Sequence, residues 1–152
     1  MLRIYVDADA CPVKPEVYRV AQRYGLGVSV VSNARMRVPD EAGIELVVVA
    51  DGFDAADDWI VEHAGADDIV ISADIPLASR CLAKGAHVLG PTGRPFTEDN
   101  IGDAVASREL LSGLRESGDI TGGPPPFRDQ DRSRFLQSLD MIIQRIRGRS
   151  RH

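Results

Sequence analysis

Arg3-Ile4-Tyr5-Val6-Asp7-Ala8-Asp9-Ala10-Cys11-Pro12 is a run of apolar, β-type residues that stops at two carboxylates and then meets a proline. Ile4 to Val6 reads as a strand, and Pro12 is expected near the start of a helix. In that helix Val13, Val17, Val20, Ala21 and Tyr24 follow the spacing of one buried stripe, ended by Gly25 or Gly27. Acids delivered at the C-terminal end of a strand stand where open α/β sheets place their ligand sites. Asp7 and Asp9 therefore have three roles open to them: metal ligation, attack on a phosphate, or capping of the helix.

The strand-then-helix pattern repeats. Val28 to Val31 is a short apolar run of the kind buried on both faces of a parallel sheet, followed by Ser32-Asn33 and a loop holding Arg35, Arg37 and Pro39. Ile44 to Ala50 is a second buried-type run, ending in Asp51-Gly52-Phe53-Asp54. Ala55 to Ala64 reads as a helix with Trp59, Ile60 and Ala64 turned inward. Asp68 to Asp74 is a third run with an acid at its end, and Pro76 opens a helix in which Leu77, Ala78, Cys81 and Leu82 pack until Gly85. Ala86 to Leu89 is the last core strand. Strands alternating with helices predict parallel pairing through right-handed crossovers, hence an α/β three-layer sandwich with a mostly parallel central sheet.

Beyond Pro91 the pattern becomes helical. A helix is expected over about 101–116, a Gly/Pro-rich break over 118–126, and a final helix from near Asp131 carrying Phe135, Leu139, Ile142, Ile143 and Ile146 on one side. The expected organisation is one domain over 1–148, with a core over about 1–91, a helical extension over about 97–148 folded back on it, and a disordered tail at 149–152.

The 152 residues are 43% hydrophobic, enough for one compact core. No run reaches the roughly 18 apolar residues of a membrane helix, and Asp7 interrupts the first apolar segment too early for a signal peptide, so a cytoplasmic location is expected. Cys11 and Cys81 form no metal-type cluster, which leaves reduced, partly buried thiols. A thiol nucleophile at Cys11 would need a histidine partner, and neither His63 nor His87 falls at an expected strand end. The net charge of −5 speaks against a broad basic face for nucleic acid. From Arg128 onward, however, seven Arg face three Asp, a local +4 that leaves −9 for residues 1–127.

Asp7, Asp9, Asp54, Asp57 and Asp74 fall at strand ends or in the first turn of the following helix, which in a parallel sheet share one edge. Two carboxylates about 4 Å apart repel by about 4 kcal/mol at an effective dielectric near 20, so convergence calls for a proton or a cation. Oxygen-only ligands point to Mg²⁺ or Mn²⁺. Asp54 is equally suited to capping its helix, and Asp57 to complementing the helix dipole.

Three segments carry a family resemblance: Val6-Asp7-Ala8-Asp9-Ala10-Cys11-Pro12-Val13-Lys14, Gly52-Phe53-Asp54-Ala55-Ala56-Asp57, and Ile71-Ser72-Ala73-Asp74-Ile75-Pro76-Leu77-Ala78. They resemble the YaiI/YqxD family of uncharacterised bacterial proteins. The match continues through Arg108, Leu114-Arg115, Gly118, Thr121-Gly122-Gly123-Pro124 and Asp131 to Phe135, Leu139 and Asp140. More distantly, the same segments resemble the PIN and NYN nuclease fold. That resemblance implies metal-ligating or catalytic acids at Asp7, at Asp54 and Asp57, and at Asp74, with Ser72 close by. Pro76-Leu77 departs from the polar or aromatic residues usual there. The implied activity is metal-dependent hydrolysis of a phosphodiester, with RNA as substrate class, in which Asp7 and Asp74 anchor the cation and Asp9, Asp54 or Asp57 complete its shell. Arg108, Arg115, Arg128 and Arg132 are candidate phosphate contacts, each equally serviceable as an ion-pair partner.

Two other readings stand beside it. Asp7-Ala8-Asp9 also resembles the opening of haloacid-dehalogenase-type phosphatases, with Asp7 as nucleophile and Ser32 as a phosphate-binding hydroxyl. Cys11 stands where that family has Thr or Val, and Lys84 lies late in a helix rather than at a strand end. The other reading is a metal- or RNA-binding module that does not cleave. The Gly122-Gly123-Pro124 stretch is expected to be a rigid turn.

Overall fold

The computed structural model describes residues 2–8, 11–39, 43–49, 55–98, 100–101 and 128–150. Six strands form one sheet: β1 (Arg3–Asp7), β2 (Gly27–Ser32), β3 (Ile44–Val48), β4 (Ile69–Ile71), β5 (His87–Leu89) and β6 (Pro95–Phe96), in the order β3-β2-β1-β4-β5-β6. The first five are parallel, and only β6 runs against its neighbour. Among the described residues four complete helices accompany them: α1 (Lys14–Tyr24), α2 (Ala55–His63), α3 (Ile75–Ala83) and α4 (Asp129–Ser150).

Strand alternation divides the core between two faces. Ile4 and Val6 of β1, Val28 and Val30 of β2 and Ile69 and Ile71 of β4 join α1 and α4, through Val17, Val20, Phe135, Leu139 and Ile143. Tyr5, Val31, Val70 and Val88 point the other way, to Ala56 and Ile60 of α2 and Leu77, Ala78 and Cys81 of α3. The expected three-layer α/β sandwich is thus the observed architecture.

Local chemistry sets the helix ends. Val13 stands at the N-cap of α1 without a side-chain cap, and the proline of its first turn is Pro15, so Pro12 lies before the helix rather than opening it. Gly25, at φ +66°, ends α1: Gly25 N–H donates to the Gln22 carbonyl and Leu26 N–H to the Ala21 carbonyl, two groups the helix would otherwise leave unpaired. At α4 the Asp131 carboxylate accepts the Arg128 N–H, reaching back across the first turn. The helix runs 22 residues to Ser150, two residues into the expected tail.

Two readings of the strands needed adjustment. β3 is not buried on both faces but lies at the sheet edge, with Val48 47% exposed and Glu45 outward. After β2, residues 33–39 form neither helix nor strand, and their Met36 and Val38 pack on the α1 face. β5 is followed by β6, a two-residue strand that the apolar pattern does not signal. The expected helix over 101–116, apart from its first residue, and the Gly/Pro-rich break lie outside the described residues. No helix among the described residues is long and apolar enough to cross a membrane.

Candidate functional site

The sheet order places β1 and β4 side by side, yet β1 leads through α1 to one flank and β4 through α3 to the other. This is the switch point of the topology, where adjacent crossovers diverge and leave a crevice at the C-terminal strand ends. Asp7 is the last residue of β1. The parallel register, with Val6 opposite Ile71, brings Ser72 level with it across the gap.

Ser72 joins the two strand ends. Its side chain is buried, and Oγ donates to Asp7 Oδ2 at 3.0 Å while accepting the Asp74 N–H at 3.0 Å. A hydroxyl has one proton, and here it is directed at Asp7, which fixes the orientation of that carboxylate. Asp74 is the N-cap of α3: its Oδ1 accepts the Leu77 N–H at 2.9 Å. Capping occupies one oxygen; among the described residues Oδ2 accepts no hydrogen bond. Asp7 and Asp74 are both partly buried.

Asp57 sits in the first turn of α2, close enough for its charge to act on Cys81. The structure does not gather it with Asp7 and Asp74. Among the described residues no group of three or more His, Cys, Asp or Glu side chains is arranged to hold a metal ion. Asp9, Asp54, Arg108 and Arg115 lie outside the described residues. Arg128 is exposed at the start of α4. Arg132 is engaged, its Nη1 lying 3.1 Å from Glu16 Oε1 and 3.4 Å from the Pro12 carbonyl.

Sequence reasoning missed two residues at this end of the molecule. Asn33 follows β2, and its Oδ1 is buried without a hydrogen-bond partner among the described residues. Glu16, in the first turn of α1, is 12% exposed, and its Oε2 is likewise buried without a partner. Neither was visible from strand-end position, because Asn33 reads as turn chemistry and Glu16 as an ordinary acid in a helix's first turn.

Cys11 is no activated nucleophile. Burial pushes its thiol from 9.0 up to about 11, and its carbonyl is held by Lys14 Nζ at 3.0 Å. His87 begins β5 at the opposite edge of the sheet, and His63 stacks on Trp59 at the end of α2. Lys84 closes α3 at that far edge too, hydrogen-bonded to the Val61 carbonyl. A cavity of about 430 Å³ also lies away from the acids, between α3, β5, β6 and α4, with Val88, Phe96, Met141 and Ile142 in its wall.

A mostly parallel sandwich in which a buried serine at the switch point links the Asp7 carboxylate to the backbone of Asp74 defines an α/β protein with an acidic candidate site. The chain belongs to the YaiI/YqxD family of uncharacterised bacterial proteins, whose family model matches residues 5–145. It is 59% identical over 146 residues to a UPF0178 protein of Nitrobacter winogradskyi, covering 96% of this chain and 93% of that relative. A UPF0178 protein of Sphingopyxis alaskensis is 59% identical over 145 residues, with 95% and 94% covered. One from a Bradyrhizobium strain is 57% identical over 145 residues, with 95% and 88% covered. No solved structure matches the chain.

Proposed function

We propose that the chain is a divalent-metal-dependent phosphodiester hydrolase that acts on RNA, with Asp7 and Asp74 as the acids that hold the cation. The observation that supports this reading is the Asp7–Ser72–Asp74 connection, in which one buried hydroxyl ties the Asp7 carboxylate to the backbone N–H of Asp74, so that two acids share one end of the sheet. The donor set suits Mg²⁺ or Mn²⁺, being oxygen only, and Asp74 Oδ2 remains after capping. The buried, unpartnered Asn33 Oδ1 adds an oxygen acceptor at the same sheet edge, suited to a water of such a site. Asp9 and Asp54 are the acids proposed to complete it.

A bound cation would supply an acidified water and charge stabilisation at the phosphodiester. The residues have separate tasks. Ser72 orients the Asp7 carboxylate, and the α3 cap fixes the Asp74 rotamer, so both carboxylates are organised in advance. Arg128 is the described cation proposed for phosphate contact. The phosphatase reading is weaker, because Lys84 stands at the opposite edge from Asp7.

The test is a Mn²⁺ titration by calorimetry of the wild type and of Asp7→Asn/Asp74→Asn, each also incubated with single-stranded RNA. Binding and cleavage by the wild type alone are the expected result. Wild-type binding without cleavage reduces the reading to a metal-binding module, and no wild-type binding refutes it. A covalent phosphate on Asp7 would favour the phosphatase instead.

A further inference from the structure

We infer that α4 belongs to the acidic site, with Arg132 as a positioning residue that holds the turn between β1 and α1; the inference deepens, and rests on, the metal-site reading above. Only Ala8, Asp9 and Ala10 separate Asp7 from Cys11. Two cations grip the chain just after them: Lys14 Nζ takes the Cys11 carbonyl at 3.0 Å, and Arg132 Nη1 takes the Pro12 carbonyl at 3.4 Å. Lys14 acts from the adjoining residue, so it stiffens the turn but fixes it to nothing else. Arg132 acts from 120 residues away and ties the turn to a different element.

Glu16 makes that tie specific. Its carboxylate is 12% exposed, with Oε1 on Arg132 at 3.1 Å and Oε2 buried without a partner among the described residues. A carboxylate this short of hydrogen bonds depends on its one cation more than an exposed acid would. Arg132 in turn sits on a helix that cannot shift freely. Phe135 and Leu139 are fully buried, and Ser138 Oγ donates to the Gly93 carbonyl at 2.7 Å. The backbone of Arg134 approaches Gly93 so closely that a Cβ there would stand 2.6 Å from the Arg134 carbonyl carbon. Docking of α4 is thereby transmitted through Arg132 to Pro12, which four residues separate from Asp7.

The positioning role predicts an effect on metal affinity, whereas a phosphate contact predicts an effect on RNA alone. Wild type, Arg132→Gln, Arg132→Lys, Glu16→Gln and the Glu16→Gln/Arg132→Gln double variant are compared as whole chains by Mn²⁺ calorimetry, thermal denaturation, and hydrogen exchange of the amides of residues 8–11 and 13. Arg132→Gln is expected to weaken Mn²⁺ binding by about tenfold, the low end for losing a residue that supports a ligand. It should also speed exchange in the turn while the protein still unfolds cooperatively. Arg132→Lys, which keeps a donor in reach, should recover most of the affinity. Glu16→Gln should behave like Arg132→Gln, and the double variant no worse than either single one. Wild-type Mn²⁺ affinity in Arg132→Gln overturns the inference, and weaker RNA binding in that variant would then make Arg132 a phosphate contact. Should the wild type bind no Mn²⁺, the metal-site reading fails, and exchange alone decides the clamp: faster exchange in Arg132→Gln sustains it and unchanged exchange overturns it.

Discussion

Asp74 has two duties that a pair of substitutions separates. As the N-cap of α3 it accepts the Leu77 N–H through Oδ1; as a proposed ligand it offers its charge. Asparagine caps as well as aspartate, whereas alanine does not. Asp74→Ala removes the cap, worth about 1 kcal/mol, and the charge at the helix N-terminus, worth about 0.5 kcal/mol. For a domain of this size that total lowers Tm by about 3–6 °C. Asp74→Asn loses only the charge term, about 1–2 °C. Mn²⁺ binding should fall at least tenfold in both variants, because an uncharged side chain replaces a carboxylate. Differential scanning calorimetry and metal titration of the same samples read the two effects. Should Asp74→Asn bind Mn²⁺ like the wild type, Asp74 is a cap and nothing more. Should it melt as low as Asp74→Ala, the capping analysis itself is wrong.

Two further predictions concern the scaffold. Gly93 combines φ +88° with backbone of α4 closer than a Cβ tolerates, so Gly93→Ala should cost about 2–4 kcal/mol in urea unfolding; a loss under 0.5 kcal/mol would refute the close approach. Burial raises both thiols, Cys11 and Cys81, from 9.0 to about 11. The folded state holds those protons more tightly than the unfolded chain, so the thiols' contribution to stability is complete below about pH 9 and is lost as pH rises through 11. Denaturant midpoints measured from pH 8 to 11 should therefore fall, and fall less steeply in Cys11→Ala/Cys81→Ala. Equal slopes would show that the thiols are not the source.

Periodicity made the sandwich legible, because a strand buried on both faces needs a mainly apolar run, which Ile4 to Val6 and Ile69 to Ile71 supply and Val28 to Val31 supplies with Ser29 as its one polar member. The same signal misjudged Ile44 to Val48, since an edge strand and a central strand share composition and differ only in what lies beside them. β6 left no trace, as two residues beginning with proline become a strand only by pairing with Val88 and Leu89. At the site, Asp7, Ser72 and Asp74 could be found from their place after apolar runs. Sequence allowed the partner of Arg132 only as a class, whereas its identity depends on how α4 lies across α1, a relation spanning 116 residues. The sequence offers a cap at Asp54, which lies outside the described residues, and gives no local sign of the cap that Asp74 provides for α3.

The central position of β1 has a kinetic consequence. Its contact with β2 closes chain between Tyr5 and Ser29, but its contact with β4 closes chain between Tyr5 and Val70. The longer closure costs about 0.9 kcal/mol more entropy. Its reward arrives only when β4 has a surface to dock on. The β1–α1–β2 unit therefore has the advantage in time, and the Asp7–Ser72 hydrogen bond belongs to a later stage. The Arg132 contact, spanning 120 residues, closes the longest loop of the three. A chain arrested midway through refolding would carry Asp7 on an ordered strand with neither Ser72 nor α4 beside it, so a signal specific to the assembled acids should lag behind the recovery of secondary structure.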